Sequence, residues 1–244
     1  MDYAEYTFRD KNFVKRFLQK KRVDLAYNSG LKTQKKQEIS ILDYGCGNAE
    51  LYNFLDHTAK TFSYVGWDPS DALIEEAERN LKSTSGDYTL TTNRNALKKA
   101  HYDLIFSLEV FEHLPDPVIE NELKTMEGLL NNNGVLIIQV PNEIFLSAFV
   151  RGSFRMYRRY GTYDANIKNV FRAMIGFPPK DRYLMFNESS TFINSHMGFD
   201  HRQLIKKIEK VFKIEKVFGG PAPFLPVVFN TEVNILCRKK QASV

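Results

Sequence analysis

Two apolar runs, each closing on an acid and separated by a glycine turn, constrain the fold of this chain more than any other feature. Residues 39–48 read I-S-I-L-D-Y-G-C-G-N, and the second run closes at Val65, Gly66, Trp67 and Asp68. A strand that hands its backbone to a ligand at a strand-to-helix turn has this form. Gly45 and Gly47 let the main chain approach a bound molecule without interference from a Cβ. Asp68 is placed to accept hydrogen bonds from ribose hydroxyls, as the second-strand acid of dinucleotide folds does. The dinucleotide fingerprint itself fails, because its third glycine falls at position 50, where Glu50 stands. Pyrophosphate is therefore a poor fit, and Asp43, just before the turn, suits a ligand bearing a cationic amine or sulfonium.

Short β-rich apolar runs alternate with helical periods along the rest of the chain, which is the pattern of a parallel sheet covered on both faces. Strands are expected near 39–43, 62–67, 87–92, 102–107, 135–140, 213–218 and 227–237. Crossover helices are expected at 70–82, with Ser70 as N-cap, and at 117–130, where Ile119, Leu123, Met126 and Leu130 share a face. Asp200 and Gln203 form a capping-box pattern ahead of the stripe Leu204, Ile208 and Val211. With 244 residues and 43% hydrophobic content, one α/β domain is expected over 1–244. Two segments lie outside its core. Residues 1–37 read as a basic helical arm carrying Tyr3, Tyr6, Phe8, Phe13 and Phe17. Residues 143–195 are too long for an ordinary connection and read as an inserted substrate cap.

The stretch from His101 to Leu114, H-Y-D-L-I-F-S-L-E-V-F-E-H-L, and the stretch from Gly134 to Asn142, G-V-L-I-I-Q-V-P-N, extend the glycine-turn motif. Together they resemble the class I S-adenosylmethionine-dependent methyltransferases, in the branch of ubiquinone-type and related small-molecule O-methyltransferases. The resemblance runs from about residue 39 to 142 and resumes at about 196. It implies a Rossmann-like, doubly wound seven-stranded sheet of order 3-2-1-4-5-7-6, with strand seven antiparallel and a helical insertion after strand five. It further implies S-adenosyl-L-methionine as cofactor and S-adenosyl-L-homocysteine as product. Asp43, Gly45 and Gly47 would then lie beside the amino-acid moiety, Asp68 on the ribose, and Leu108 and Glu109 along the site after strand four. Where relatives often carry an Asp for the adenine amine, this chain offers Asn93 or Asn95; register favours Asn93, with Arg94 supplying backbone, and an Asn oxygen can still accept from that amine.

Methyl transfer from a sulfonium is an in-line displacement that relies mainly on alignment. Removal of a proton from an alcohol calls for a base titrating near working pH, for which His113 and His196 are the candidates. The insertion mixes Phe154, Tyr157, Tyr160, Tyr163 and Phe171 with Arg151, Arg155, Arg158 and Arg159. Arg forks pair with phosphate or carboxylate, so Arg155, Tyr157 and Arg158, with Asn142 at the end of strand five, are the candidate acceptor contacts. The same pattern fits a cap helix that packs its aromatics inward and leaves its arginines in water.

The expected acceptor is a small polar or anionic molecule such as a nucleotide- or lipid-linked sugar. An amino-sugar N-methyltransferase and an RNA methyltransferase working through the basic arm and cap stay open. A net charge of +5 is modest, and nucleic acid is the disfavoured partner, with peripheral membrane contact left open. The Asn/Asp-Pro-Pro-aromatic motif of DNA amino-methyltransferases is missing after strand four, and no Pro-Cys nucleophile occurs. No clustered acids follow strand five, so no metal is expected. Two scattered cysteines and the lack of an apolar leader or spanning segment predict a cytoplasmic protein. The acceptor atom and the oligomeric state are not legible.

Overall fold

The structure is a computed structural model that describes residues 13–55, 61–84, 86–98, 101–180, 182, 184–186, 191–193 and 195–241. Of the expected arm, Tyr3, Tyr6 and Phe8 and the side chains of Phe13 and Phe17 lie outside the described residues. The remainder of the arm forms α1 (Phe13–Leu31). A seven-stranded sheet follows, built from β1 (Glu38–Tyr44), β2 (Thr61–Trp67), β3 (Tyr88–Thr91), β4 (Tyr102–Leu108), β5 (Leu130–Pro141), β8 (Phe212–Gly220) and β9 (Glu232–Lys239). Between these strands run α2 (Glu50–Leu55), α3 (Asp71–Leu81), the short α4 (Arg94–Leu97), α5 (Asp116–Leu129) and, before β8, α8 (His201–Val211). Spatially the order is β3-β2-β1-β4-β5-β9-β8, with β9 antiparallel to both neighbours. Counted within this sheet alone, that is the expected 3-2-1-4-5-7-6.

The apolar runs alternate between two cores. Leu42, Tyr44, Ile105, Leu136, Ile138 and Val140 face α5 and α8, while Ile39, Ile41, Leu104, Phe106, Val135 and Ile137 face α1, α2 and α3. Burial on both faces is what makes these strands read as unbroken hydrophobic segments. Ser70 caps α3 by accepting from the Leu73 amide at 3.4 Å. Asp200 caps α8 through the Arg202 amide at 2.9 Å and also pairs with the Arg202 guanidinium.

Two boundaries differ from expectation. β5 begins at Leu130 rather than 135, because Gly134 continues the strand: a Cβ there would meet the Tyr102 carbonyl at 2.9 Å. The run expected as strand from 227 opens as a 3-10 turn, Val227–Phe229, since the chain must first turn back after β8; the Asn230 side chain ties that turn down through Ala222, Leu225 and Pro226.

The segment after β5 holds α6 (Phe145–Arg159), α7 (Ile167–Met174) and a two-stranded ribbon of β6 (Leu184–Phe186) and β7 (Thr191–Ile193). Its small core of Ala148, Val170, Ala173 and Met197 is separate from those beneath the sheet.

Candidate active site

The carboxyl ends of β1, β2 and β4 converge where the strand order reverses, the place at which open α/β sheets bind ligands. The turn after β1 is held by Gly45 and Cys46, whose amides donate to the Trp67 carbonyl at 2.8 and 3.0 Å. Gly45 has φ +82°, and a Cβ there would sit 2.4 Å from Val110 Cγ2; Gly47 has φ +54°, with open space where its Cβ would be. The first glycine is thus required by packing. The second leaves the backbone bare towards a ligand.

Asp68 is buried, and its two oxygens accept from the Gly47 amide at 3.0 Å and the Ser70 amide at 2.9 Å. Each oxygen keeps a further lone pair for a ribose hydroxyl. Burial raises its pKa, an effect these two amides oppose. Asp43 is fully enclosed and accepts from the Tyr64 hydroxyl at 2.8 Å; burial, with a contribution from Asp68, pushes its pKa up to about 7. Asn93 is exposed and caps α4, its Oδ1 accepting from the Asn95 amide at 3.0 Å. Arg94 reaches away to Glu122 at 2.7 Å and lies over the Trp67 and Tyr44 rings. Its side chain is a strut between α4 and α5.

Leu108 ends β4, and Glu109 takes a left-handed φ of +58°, rare for a residue with a side chain. This kink delivers Glu109 to a cavity of about 900 Å³ lined also by Arg22, His113, Glu143, Arg151, Arg155, Arg158, His196 and Glu232. Glu109 joins the glycine-turn region to this second cleft. Burial pushes its carboxyl up, but Arg22, 3.1 Å away, and Arg151 hold it below the usual range. Glu143 is completely buried, taking Arg151 at 3.2 Å and Arg155 at 2.5 Å, and these arginines overcome the upward push of burial. Arg151 also pairs with Glu232 at 2.7 Å. Burial and the Glu109 charge push Glu232 up to about 8. None of Arg22, Glu143 and Glu232 was singled out from the sequence, although an acid beside Pro141 and Asn142 and another inside an apolar strand were visible signals.

The two histidines from distant parts of the chain meet here. Their ring centroids are 4.9 Å apart, edge to face, and His113 stacks on Phe192 at 4.6 Å. His113 Nδ1 contacts the Ile193 carbonyl at 2.9 Å. Burial lowers both histidines, taking His196 to about 4. The candidate acceptor residues divide. Arg155 and Arg158 line the cleft, and Arg155 Nη1 has no hydrogen-bond partner. Tyr157 is 91% exposed and lies outside the lining. Asn142 is buried, with Nδ2 donating to the Val227 and Asn230 carbonyls at 3.0 and 2.9 Å, so it clasps the chain ahead of β9 and has no donor left for an acceptor. The inward-aromatic alternative holds in part, with Tyr163 packed on the segment's core and Arg158 and Arg159 exposed, while Phe154, Tyr160 and Phe171 face solvent and Arg151 and Arg155 turn inward.

Residues 11–208 match the model of a methyltransferase-domain family. This chain belongs to the class I S-adenosylmethionine-dependent methyltransferases. It is 30% identical over 113 residues to the ubiquinone biosynthesis O-methyltransferase of Pelagibacter ubique, an alignment covering 46% of this chain and 45% of that protein. This methyltransferase therefore aligns with less than half the length of that curated relative. Among solved structures it is similar to an S-adenosylmethionine-dependent methyltransferase from Clostridium acetobutylicum, with TM-score 0.62, 12% identity and coverage of 98% and 96% of the two chains. The magnesium protoporphyrin IX methyltransferase of Synechocystis, solved with bound S-adenosylhomocysteine, gives TM-score 0.58 at 15% identity and coverage of 95% and 89%. At such identities these neighbours speak for the fold of the methyltransferase.

Proposed function

We propose that this methyltransferase moves the methyl group of S-adenosylmethionine to a hydroxyl oxygen of a small, anionic acceptor held in the cleft between β4 and the inserted segment. The observation that carries this reading is the His113–His196 pair, which stands at a cleft shared with Glu109, the residue that follows β4. The matched curated relatives are named as O-methyltransferases, which favours oxygen over nitrogen. Asp68 and the bare backbone at Gly47 fit a nucleoside with free ribose hydroxyls, and Asp43 fits its cationic part. Asn93 and the Arg94 backbone are the candidates for the adenine edge. Kink and turn together orient donor and acceptor, and such alignment contributes on the order of 7–11 kcal/mol. The histidine pair assists loss of the acceptor's hydroxyl proton. Arg155 Nη1 and Arg158 meet its negative charge, and the residues 143–195 act as the acceptor's cap within a single domain.

Transfer of labelled methyl to hydroxylated sugar phosphates, lipid-linked sugars and acidic phenols tests the reading. Product formation that needs both His113 and His196 supports it. Methylation confined to amino acceptors, or cofactor binding with no transfer to any hydroxyl, overturns it.

A further inference from the structure

Glu112 is a buried acid whose carboxylate the fold leaves without a hydrogen bond. It lies in the 3-10 turn Phe111–His113, its side chain is fully buried, and neither carboxylate oxygen has a hydrogen-bond partner. Arg182 donates its hydrogen bond to the Glu112 main-chain carbonyl, so it and Arg22 act on the carboxylate only through longer-range attraction. An isolated buried carboxylate is among the most costly groups a protein can hold, unless a cation or a proton compensates it. His113 Nε2 is 3.9 Å from Glu112 Oε1, beyond hydrogen-bond reach.

The surroundings point to what does compensate it. Glu112, His113 and His196 each offer one ligand atom, and these atoms lie within 4.8 Å of one another. The His113 ring is already oriented for ligation: Nδ1–H donates to the Ile193 carbonyl, which fixes the tautomer and leaves the Nε2 lone pair bare. Stacking on Phe192 holds the plane of that ring. His196 comes from the inserted segment and meets His113 edge-on. Three donors around one ion at about 2.1 Å stand roughly 3.3 Å apart, so the cluster needs to draw in by about 1.5 Å at most, within the reach of side-chain torsions.

We propose that Glu112, His113 and His196 form a site for a divalent transition metal, zinc or manganese by donor type, at the acceptor end of the cleft. Two imidazoles and one carboxylate leave coordination positions open, the arrangement of a catalytic site rather than a structural one. The proposal deepens the O-methylation reading and rests on it for its chemical consequence. An acceptor hydroxyl bound at an open position would ionise near neutral pH, its proton passing to water in the cleft. A lone pair of that oxygen then forms the C–O bond while the methyl C–S bond breaks and its electron pair stays on sulfur. Methyl ether and S-adenosylhomocysteine result. The expectation of no metal looked for acids after strand five. The cluster instead joins the turn after β4 to the end of the insertion.

The test uses the full chain, stripped with chelator and titrated with Co²⁺, followed by visible absorption, and with Zn²⁺ and Mn²⁺ by calorimetry. One ion per chain is expected, with ligand-field bands that Zn²⁺ displaces. Glu112→Gln and His196→Gln should each weaken binding at least tenfold and leave S-adenosylmethionine affinity unchanged, while His101→Ala, at an exposed histidine, keeps the ion. His196→Gln supplies the answer should Glu112→Gln fail to fold. Absence of stoichiometric binding, or equal binding in wild type and His196→Gln, overturns the site. Metal binding without transfer to any hydroxyl acceptor would instead sink the O-methylation reading and keep the site.

Discussion

At the scale of single residues, the proposed cofactor site turns on Asp43, Gly45 and Asp68, and each makes a separate prediction. Asp43 titrates at about 7 in the folded chain because burial disfavours its charged form. A folded pKa raised above the unfolded value means that ionisation costs stability as pH climbs from about 4 towards 7, in the absence of a cationic ligand. A cation beside it favours the carboxylate. Affinity for S-adenosylmethionine should therefore rise as pH goes from 6 to 8, with proton release on binding near pH 6.5, and Asp43→Asn should flatten that profile; calorimetry in buffers of differing ionisation enthalpy reads both. Asp68→Asn keeps one acceptor oxygen but removes the charge, and charge-assisted hydrogen bonds contribute about 1.5–3 kcal/mol. Cofactor Kd should rise by roughly ten- to a hundredfold, with some fall in Tm because the new NH₂ cannot accept from one of the two amides that Asp68 pairs. Gly45→Ala should behave oppositely in kind: at φ +82° and with Val110 in the way, it should lose both cofactor binding and about 2 kcal/mol or more of stability.

At the scale of elements, the inserted segment is fastened by ions and not by a deep core. Arg151 spans Glu143 on one side and Glu232 of β9 on the other. Removing one partner of a buried pair leaves uncompensated charge, which typically costs about 3–5 kcal/mol. Arg151→Ala should lower the urea midpoint accordingly. Arg155→Ala combined with Arg158→Ala should mainly raise acceptor KM and leave cofactor Kd alone; parallel loss of both would mark simple unfolding of the cleft. The elements of the sheet were legible in the sequence because burial on both faces writes unbroken apolar runs, and Ser70 and Asp200 announce their helices by capping chemistry. The 3-10 turn at Val227–Phe229 was not, since a valine pair beside phenylalanine is indistinguishable from strand until Asn230 is seen tying it down. The glycine turn after β1 and the acid that closes β2 were legible as geometry from type and spacing. Glu112, Glu143 and Arg22 were not, because their meaning lies in partners, or in the lack of them, brought from dozens of residues away.

At the scale of the whole molecule, two cores sandwich one sheet, and the proposed cofactor region sits on the sheet's carboxyl edge. Asp43 and Asp68 are buried acids whose pKa values are raised by desolvation, so this edge carries an energetic cost that a nucleoside sulfonium would relieve. No helix among the described residues is long and apolar enough to cross a membrane. Thermal unfolding of the chain reports ligand binding. A ligand present at a hundred times its Kd stabilises the folded state by about 2.7 kcal/mol. For a chain of this size each kcal/mol moves Tm by roughly 2–4 °C. S-adenosylmethionine at that excess should thus raise Tm by about 5–11 °C, and S-adenosylhomocysteine, which keeps the ribose and adenine but lacks the sulfonium, should shift it less at pH 8 than at pH 6 in comparison. Differential scanning calorimetry decides the matter. Equal shifts at both pH values would separate Asp43 from the sulfonium and leave Asp68 as the sole charge that senses the cofactor.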